Sequence, residues 1–317
     1  MNRERLRRLL TPILVGAALV GLVLVLRHDG AQAARTLLRP ETAPLLAAAV
    51  LANLAGLMLG RYAWQVLLAD TGPMTGATAA RIFFLGQLGK YLPGRVWGVL
   101  THIELGRTAG VPGPRMASAY LISLALTLLT GAGVGLLAAP AALGGQQAWW
   151  IAVPLLLLVT CAAVPALVTA PVTAVSRRLR HPVQPPAARL VRRALALATL
   201  SWLVSGLHLW ALAVALGAPP MAAAAPAIGA FALATVAGSL ALLVPDGWGV
   251  REVTILAALA AVLPLGVAGA AAVASRVVCV LVEITTSLVV LAWARTRTSV
   301  PSTEPTGENH APQPVHP

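Results

Sequence analysis

Charge is what this sequence most lacks. Of 317 residues only ten are acidic, and lysine occurs once, at Lys90. Charged residues make up 10% of the chain, where a soluble domain carries about 25%. A soluble globular fold is excluded on that ground. Cysteine is nearly absent too. Cys161 and Cys279 both fall in apolar runs, which argues against a disulfide framework and reads as small buried residues. Catalytic signatures are also missing. There is no nucleophile elbow, no His-Glu-x-x-His, no phosphate-binding loop with its lysine and no metal-ligand cluster. The expectation is a protein that is not an enzyme, with no catalytic residue, cofactor or metal to assign.

What the chain has is hydrophobic length. It is 58% hydrophobic, with a mean hydropathy of +0.82. Uncharged runs cover Leu10–Leu26, Ala43–Gly60, Met116–Ser176 and Ala194–Pro245. The last two hold about two spans each, since a helical span takes roughly 20 apolar residues. The fold class expected is an all-α polytopic membrane protein. A formal charge of +13 raises the question of nucleic acid. The arginines, however, sit at the ends of apolar runs rather than on a soluble basic face, so nucleic acid is not an expected partner. The N-terminus resembles a signal peptide, with basic residues, an apolar run and Ala31-Gln32-Ala33. That run is long, and Arg27, His28 and Asp29 precede the small residues, so a retained first span fits better.

Spans are expected at 10–27, 43–69, 116–138, 148–170, 194–216 and 268–294. Residues 1–9 form a basic N-terminus, 10–295 a single transmembrane domain, and 296–317 a disordered tail. Four arginines precede the first span, six fill the loop at 176–193, and Arg295 and Arg297 follow the last span. The excess of basic residues on cytoplasmic loops then places both termini and that loop in the cytoplasm of a multi-pass cell-membrane protein.

Two mixed regions, 75–115 and 221–264, interrupt this plan. The first contains "GKYLPGRVWG" at 89–98, and the second "LVPDGWGVRE" at 243–252. Each offers a proline, a glycine, a Trp-Gly pair and then a new helix, with basic residues nearby. Proline removes a backbone donor and glycine frees the turn, so the helix breaks and leaves unpaired backbone groups. Such groups are costly in hydrocarbon unless protein, water or a ligand satisfies them. The orientation closes if the two regions are oppositely oriented re-entrant pairs, giving about six spans. It also closes with eight spans if 221–244 and 250–264 both cross. Matched interruptions in opposite orientation suggest an inverted repeat, with halves at about 43–170 and 194–294, and a central binding site between them.

These two motifs, with an arginine in the last span, resemble the transmembrane region of lysylphosphatidylglycerol synthases, a family that includes free-standing flippase-like proteins. The resemblance covers roughly 10–295. It puts Lys90, Pro93, Gly94 and Trp97 in the first family motif and Pro245, Gly247, Gly249, Arg251 and Glu252 in the second. The family more often has glycine where this chain has Asp246. An acid there would weaken anion binding at that half-site or pair with a base. The resemblance implies flipping of charged lipids between leaflets. The family's aminoacyl-transferring activity resides in a separate soluble domain, for which the residues after 295 leave no room.

The candidate site is therefore Lys90, Tyr91, Pro93, Gly94, Arg95, Trp97, Pro245, Asp246, Gly247, Gly249, Arg251, Glu252, Arg276 and Glu283. Arg276 and Glu283 lie seven residues apart, two turns along one face of the last span. Each serves either an ion pair to another helix or the substrate. Glu252 suits the start of the helix after the second break and reads as a cap. Arg251 does not suit that end and reads as a ligand. Arg61 is expected to snorkel toward the interface, and His208 to be a hydrogen-bonded packing residue. Gly56-x-x-x-Gly60 and Gly131-x-x-x-Gly135 read as helix packing. The leading function is a transporter that takes an anionic or zwitterionic head group through a polar cleft. Lys90, Arg95 and Arg251 would hold its phosphate, with Lys90 and Arg251 converging on it. The partner is a phospholipid, a polyprenyl lipid or a glycolipid. The alternative is a non-transporting anchor for an enzyme of cell-envelope lipid or glycolipid synthesis.

The orientation is testable. Single cysteines introduced by Pro185→Cys or Pro305→Cys, with Cys161 and Cys279 removed, are expected to be shielded from an impermeant thiol reagent in intact cells. Labelling of position 185 from outside would overturn it.

Overall fold

The computed structural model describes residues 32–72, 74–91, 96–136, 149–241 and 247–298. The expected first span at 10–27 and the basic N-terminus lie outside the described residues. So do Pro93, Gly94 and Arg95 of the first interruption, Pro245 and Asp246 of the second, and the tail from 299.

Every described element is a helix. In chain order these are α1 (Ala43–Val66), α2 (Gly76–Leu88), α3 (Val96–Thr108), α4 (Gly113–Gly135), α5 (Trp149–Ala163), α6 (Ala166–Arg178), α7 (Ala188–Ala215), α8 (Pro220–Leu240), α9 (Val250–Leu259) and α10 (Leu265–Thr298). Their starts follow local chemistry. Proline occupies the first turn of α1, α4 and α8, where its missing N–H is no loss. Thr75 caps α2 by accepting from the Thr78 amide at 3.2 Å. Helices α1, α4, α7, α8 and α10 are long and apolar enough to cross a membrane. The protein is an all-α polytopic membrane protein, as the composition requires.

Two spans differ from expectation. The stretch at 148–170 is two helices, α5 and α6, whose axes bend by 65° at a short break. Pro165 accounts for it, because its ring disfavours helical geometry at Val164 and begins a new helix. In the second mixed region α9 has ten residues, about 15 Å of rise against a hydrocarbon core of about 30 Å. It is too short to cross, which removes the eight-span arrangement. Its partner α8, with 21 residues, is long enough to cross and exceeds the half-crossing expected of a re-entrant arm. The α2 and α3 helices have 13 residues each, so neither spans alone.

One end of the bundle gathers Trp64, Leu67, Val111, Met116, Cys161, Val168 and Val191 into one core. The basic segment 177–193 therefore shares an end with the α1–α2 and α3–α4 turns. A second core, with Ala218, Ala223, Leu259, Leu263 and Ala268, holds the α7–α8 and α9–α10 turns at the other end. The hairpins α2–α3 and α8–α9 thus enter from opposite ends. Each closes on a glycine pair. A Cβ on Gly89 would lie 2.8 Å from the Gly98 amide nitrogen, and one on Gly247 would lie 2.3 Å from Gly238 Cα.

Both expected glycine motifs pack helices. Gly131 abuts Trp202 and Val236, and Gly135 abuts Leu233. Gly56 carries the antiparallel α1–α7 contact, where Ser201 Oγ donates to Gly56 O at 2.7 Å. A Cβ on Gly56 would fall 1.9 Å from Ser205 Oγ and 2.8 Å from the Ser205 amide nitrogen, whereas one on Gly60 meets Ser201 Oγ alone, at 3.4 Å. Gly56→Ala is therefore expected to cost about 1–3 kcal/mol through overpacking. Gly60→Ala is expected to stay within about 1 kcal/mol of the parent, since alanine gains helix propensity. Unfolding midpoints in detergent check this; equal melting of both variants with the parent would mean that Gly56 does not set the helix spacing.

Candidate functional site

The site is organised by one face of α10. Ser275, Cys279, Glu283 and Ser287 recur every four residues, so their side chains stack along one stripe. Cys279 is midway along the apolar stretch Leu265–Trp293. Ionisable groups at that depth are costly and face protein or a cavity rather than lipid. Arg276 and Glu283 flank Cys279 and stand about 10 Å apart in helical rise.

The first interruption meets this stripe through Lys90. A 3-10 turn, Gly89–Tyr91, extends α2 and delivers the ammonium to α10. Lys90 Nζ lies 2.7 Å from Glu283 Oε1, and the two side chains are 28% and 13% exposed. Of Tyr91 only the backbone is described. Trp97, in the first turn of α3, is half-exposed on the outside of the bundle.

The second interruption meets α10 through Glu252. Gly247 and Gly249 have φ of 63° and 83°, a left-handed backbone that glycine adopts at no steric cost. The turn places the α9 N-terminus against α10. Glu252 then does two things. Its Oε2 accepts from the Gly249 amide at 2.7 Å, the capping role expected of it. Its Oε1 pairs with Arg276 Nη1 at 2.7 Å, with side chains 7% and 12% exposed. The Arg276 guanidinium also lies 4.8 Å from the centre of the Trp248 ring. An anion approaching this helix end would meet a carboxylate already bound to its first amide.

The two ion pairs are reversed in sign. The first hairpin offers a cation to an α10 carboxylate, and the second offers a carboxylate to an α10 cation. Both Arg276 and Glu283 are thus ion-paired to other elements.

Arg251, next to Glu252, is buried. Its guanidinium lies 5.7 Å from the Phe231 ring centre, within cation–π range. Its Nη2 reaches Cys279 Sγ at 3.9 Å. Asn53 Nδ2 of α1 donates to the same sulfur at 3.3 Å, and His208 Nε2 of α7 lies 3.8 Å from it. His208 is fully buried. Its Nε2 shares a hydrogen bond with Ser275 Oγ at 2.7 Å, and its Nδ1 pairs with Ser205 O. It is the hydrogen-bonded packing histidine expected. Lys90 and Arg251 both reach the stripe, but Lys90 engages Glu283 and Arg251 contacts Cys279, one turn away.

Sequence reasoning did not single out Asn53, Ser275 or Cys279 as site residues. A signal existed: Ser275, Cys279 and Glu283 share one helical spacing, and Asn53 is the one amide in the uncharged run Ala43–Gly60. Arg61 corrects another expectation. It does not snorkel. It is buried, its guanidinium lies over the Tyr62 ring, and Nη1 donates to Gly76 O at 3.0 Å. Its charge is held by protein, at the carbonyl that begins α2.

No curated protein matches the chain. A family profile described as "Lysylphosphatidylglycerol synthase TM region" matches residues 9–287, from the first expected span through both hairpins and past Glu283. With nearly the whole hydrophobic region matched, and with both motif-bearing turns brought onto the last helix, the chain belongs to the lysylphosphatidylglycerol synthase transmembrane-region family.

Proposed function

We propose that this protein binds the charged head group of a membrane lipid at the middle of α10 and passes it between leaflets. One observation carries the reading: two broken hairpins from opposite ends meet the last span through ion pairs of opposite sign, at Lys90–Glu283 and Glu252–Arg276. Family membership supports a role in lipid handling. A structural pair between two helices needs no break in either backbone. Broken hairpins carrying the charges suit contacts that form and release.

In this mechanism the head group exchanges partners with the resident pairs. A phosphate takes the place of Glu283 at Lys90, or of Glu252 at Arg276. In a zwitterionic lipid the amine takes the released carboxylate. With a zwitterionic lipid each exchange replaces one buried charge pair by another, so no charge is left alone in low dielectric. Opening the Lys90–Glu283 contact frees a path toward the end that carries the basic segment. Opening the Glu252–Arg276 contact frees a path toward the other end. The acyl tails stay in the bilayer. The halves at about 43–170 and 194–294 act as an inverted repeat with unequal arms, and the basic end is cytoplasmic. A gradient or consumption of the product supplies any net drive.

Transfer of head-group-labelled lipid in proteoliposomes tests this, alongside melting midpoints. Lys90→Gln or Arg276→Gln is expected to weaken lipid affinity roughly 10- to 150-fold, from the loss of one charge-assisted hydrogen bond. Each is also expected to lower stability by up to about 3–5 kcal/mol, because one carboxylate loses its partner. The exchanged pair Lys90→Glu with Glu283→Lys separates the roles. It is expected to recover stability and not transfer, since the hairpin then presents an acid to the phosphate. Recovery of both, or absence of transfer in the parent protein, would sink the proposal.

A further inference from the structure

A second cluster lies away from the α10 stripe, where α1 ends and α4 begins. Five buried polar atoms there have no hydrogen-bond partner among the described residues. They are Arg61 Nε, Trp64 Nε1 and Gln65 Oε1 on α1, and Arg115 Nη1 and Ser118 Oγ on α4. Arg61, Trp64, Arg115 and Ser118 are each at least nine-tenths buried.

Arg115 sets the register between the two helices. Its Nη2 donates to Leu67 O at 2.9 Å and to Asp70 Oδ1 at 2.5 Å. The helices run antiparallel, so Ser118, one turn along α4, comes level with Trp64, one turn back along α1. Arg61 follows a turn further, its Nη1 held by Gly76 O. Four of the five atoms are donors, and two belong to guanidinium groups. The carboxylate at this seam, Asp70, is already taken by Arg115 and is 39% exposed at its edge.

A buried donor without an acceptor carries its full desolvation cost. Several such donors within two turns of the α1–α4 contact, with a surplus of positive charge, match a group that brings several acceptor oxygens. Depth narrows the choice. The seam sits at the ends of two spans, where α1 closes at Val66 and α4 opens at Gly113. It also lies at the end that carries Arg177, Arg178 and Arg180. Lipid phosphates occupy that level of a bilayer, and basic pockets between spans on such a face take phosphorylated head groups. Gln65 Oε1, the one acceptor, would face a protonated phosphate oxygen.

We propose that Arg61, Trp64, Arg115 and Ser118 form a phosphate-binding site at the α1–α4 seam, separate from the ion-paired centre on α10. Its ligand is the phosphate of a lipid head group or free phosphate.

Arg115→Gln would also break the tie to Asp70, so two conservative variants carry the test. Trp64→Phe removes one N–H and keeps a ring, and Ser118→Ala removes one hydroxyl. The purified protein is melted, and titrated by calorimetry, in a phosphate-free maltoside detergent. One arm adds inorganic phosphate and the other phosphatidic acid. Without additive, Ser118→Ala is expected to melt at or above the parent, since it deletes a donor lacking an acceptor, and Trp64→Phe somewhat below it, since the smaller ring leaves space in the core. With ligand, each is expected to bind at least about tenfold more weakly. Saturation by phosphatidic acid alone identifies a lipid head group; saturation by inorganic phosphate as well identifies free phosphate. Parent-like affinity of both variants in both arms, or no binding by the parent in either, would overturn the site.

Discussion

A charge at the centre of a bilayer costs at least about 2.5 kcal/mol unless it is paired or hydrated, and α10 carries two. Arg276 and Glu283 cannot face lipid, so their stripe must face other protein, and the charges that answer them sit on the two broken hairpins. The rest of the architecture follows from satisfying that stripe. Lys90 reaches Glu283 because α2 ends early in a 3-10 turn. Glu252 reaches Arg276 because Gly247 and Gly249 reverse the chain in left-handed geometry. An unbroken span through either region would carry these side chains past the level of their partners.

Close backbone approach is the second requirement. A hairpin inside a membrane must fit two strands of helix and a turn into the space of a single span. Glycine pairs at Gly89–Gly98 and Gly238–Gly247 bring the arms together where any Cβ would collide. Around them the α1–α7 pair forms a stiff support, fixed by Gly56 against Ser205. Asn53 and His208, on the same two helices, reach the α10 stripe through Cys279 and Ser275. The sulfur gains its importance from position: two donors, Asn53 and Arg251, and the ring nitrogen of His208 converge on it from three different elements at the midpoint of the last span.

The α1–α4 seam differs in kind from the α10 centre. At the centre Lys90 pairs with Glu283 and Arg276 with Glu252. At the seam Arg61 donates to one carbonyl and Arg115 to a carbonyl and Asp70, and each leaves a further N–H group without an acceptor.

Sequence alone determined the class of this protein, its family and the two places where its helices break. Those conclusions rest on local properties: long uncharged runs, arginines at their ends, and proline–glycine interruptions whose backbone consequences are the same in any fold. The pairing of Glu252 with its helix end was legible for the same reason, since a cap joins residues three apart. What only the tertiary structure decided is which charge answers which. Lys90 and Glu283 are separated by 193 residues and His208 and Ser275 by 67, and no spacing in the chain relates them. Arg61 shows the same limit. Snorkelling is a statement about one helix in lipid, but Arg61 is held by a carbonyl on a neighbouring helix. The bend at Pro165, by contrast, lay within reach of local rules. So did the extent of α8, close to the run at 221–244; its close approach to the turn before α9 did not, because Gly238 and Gly247 meet only in space.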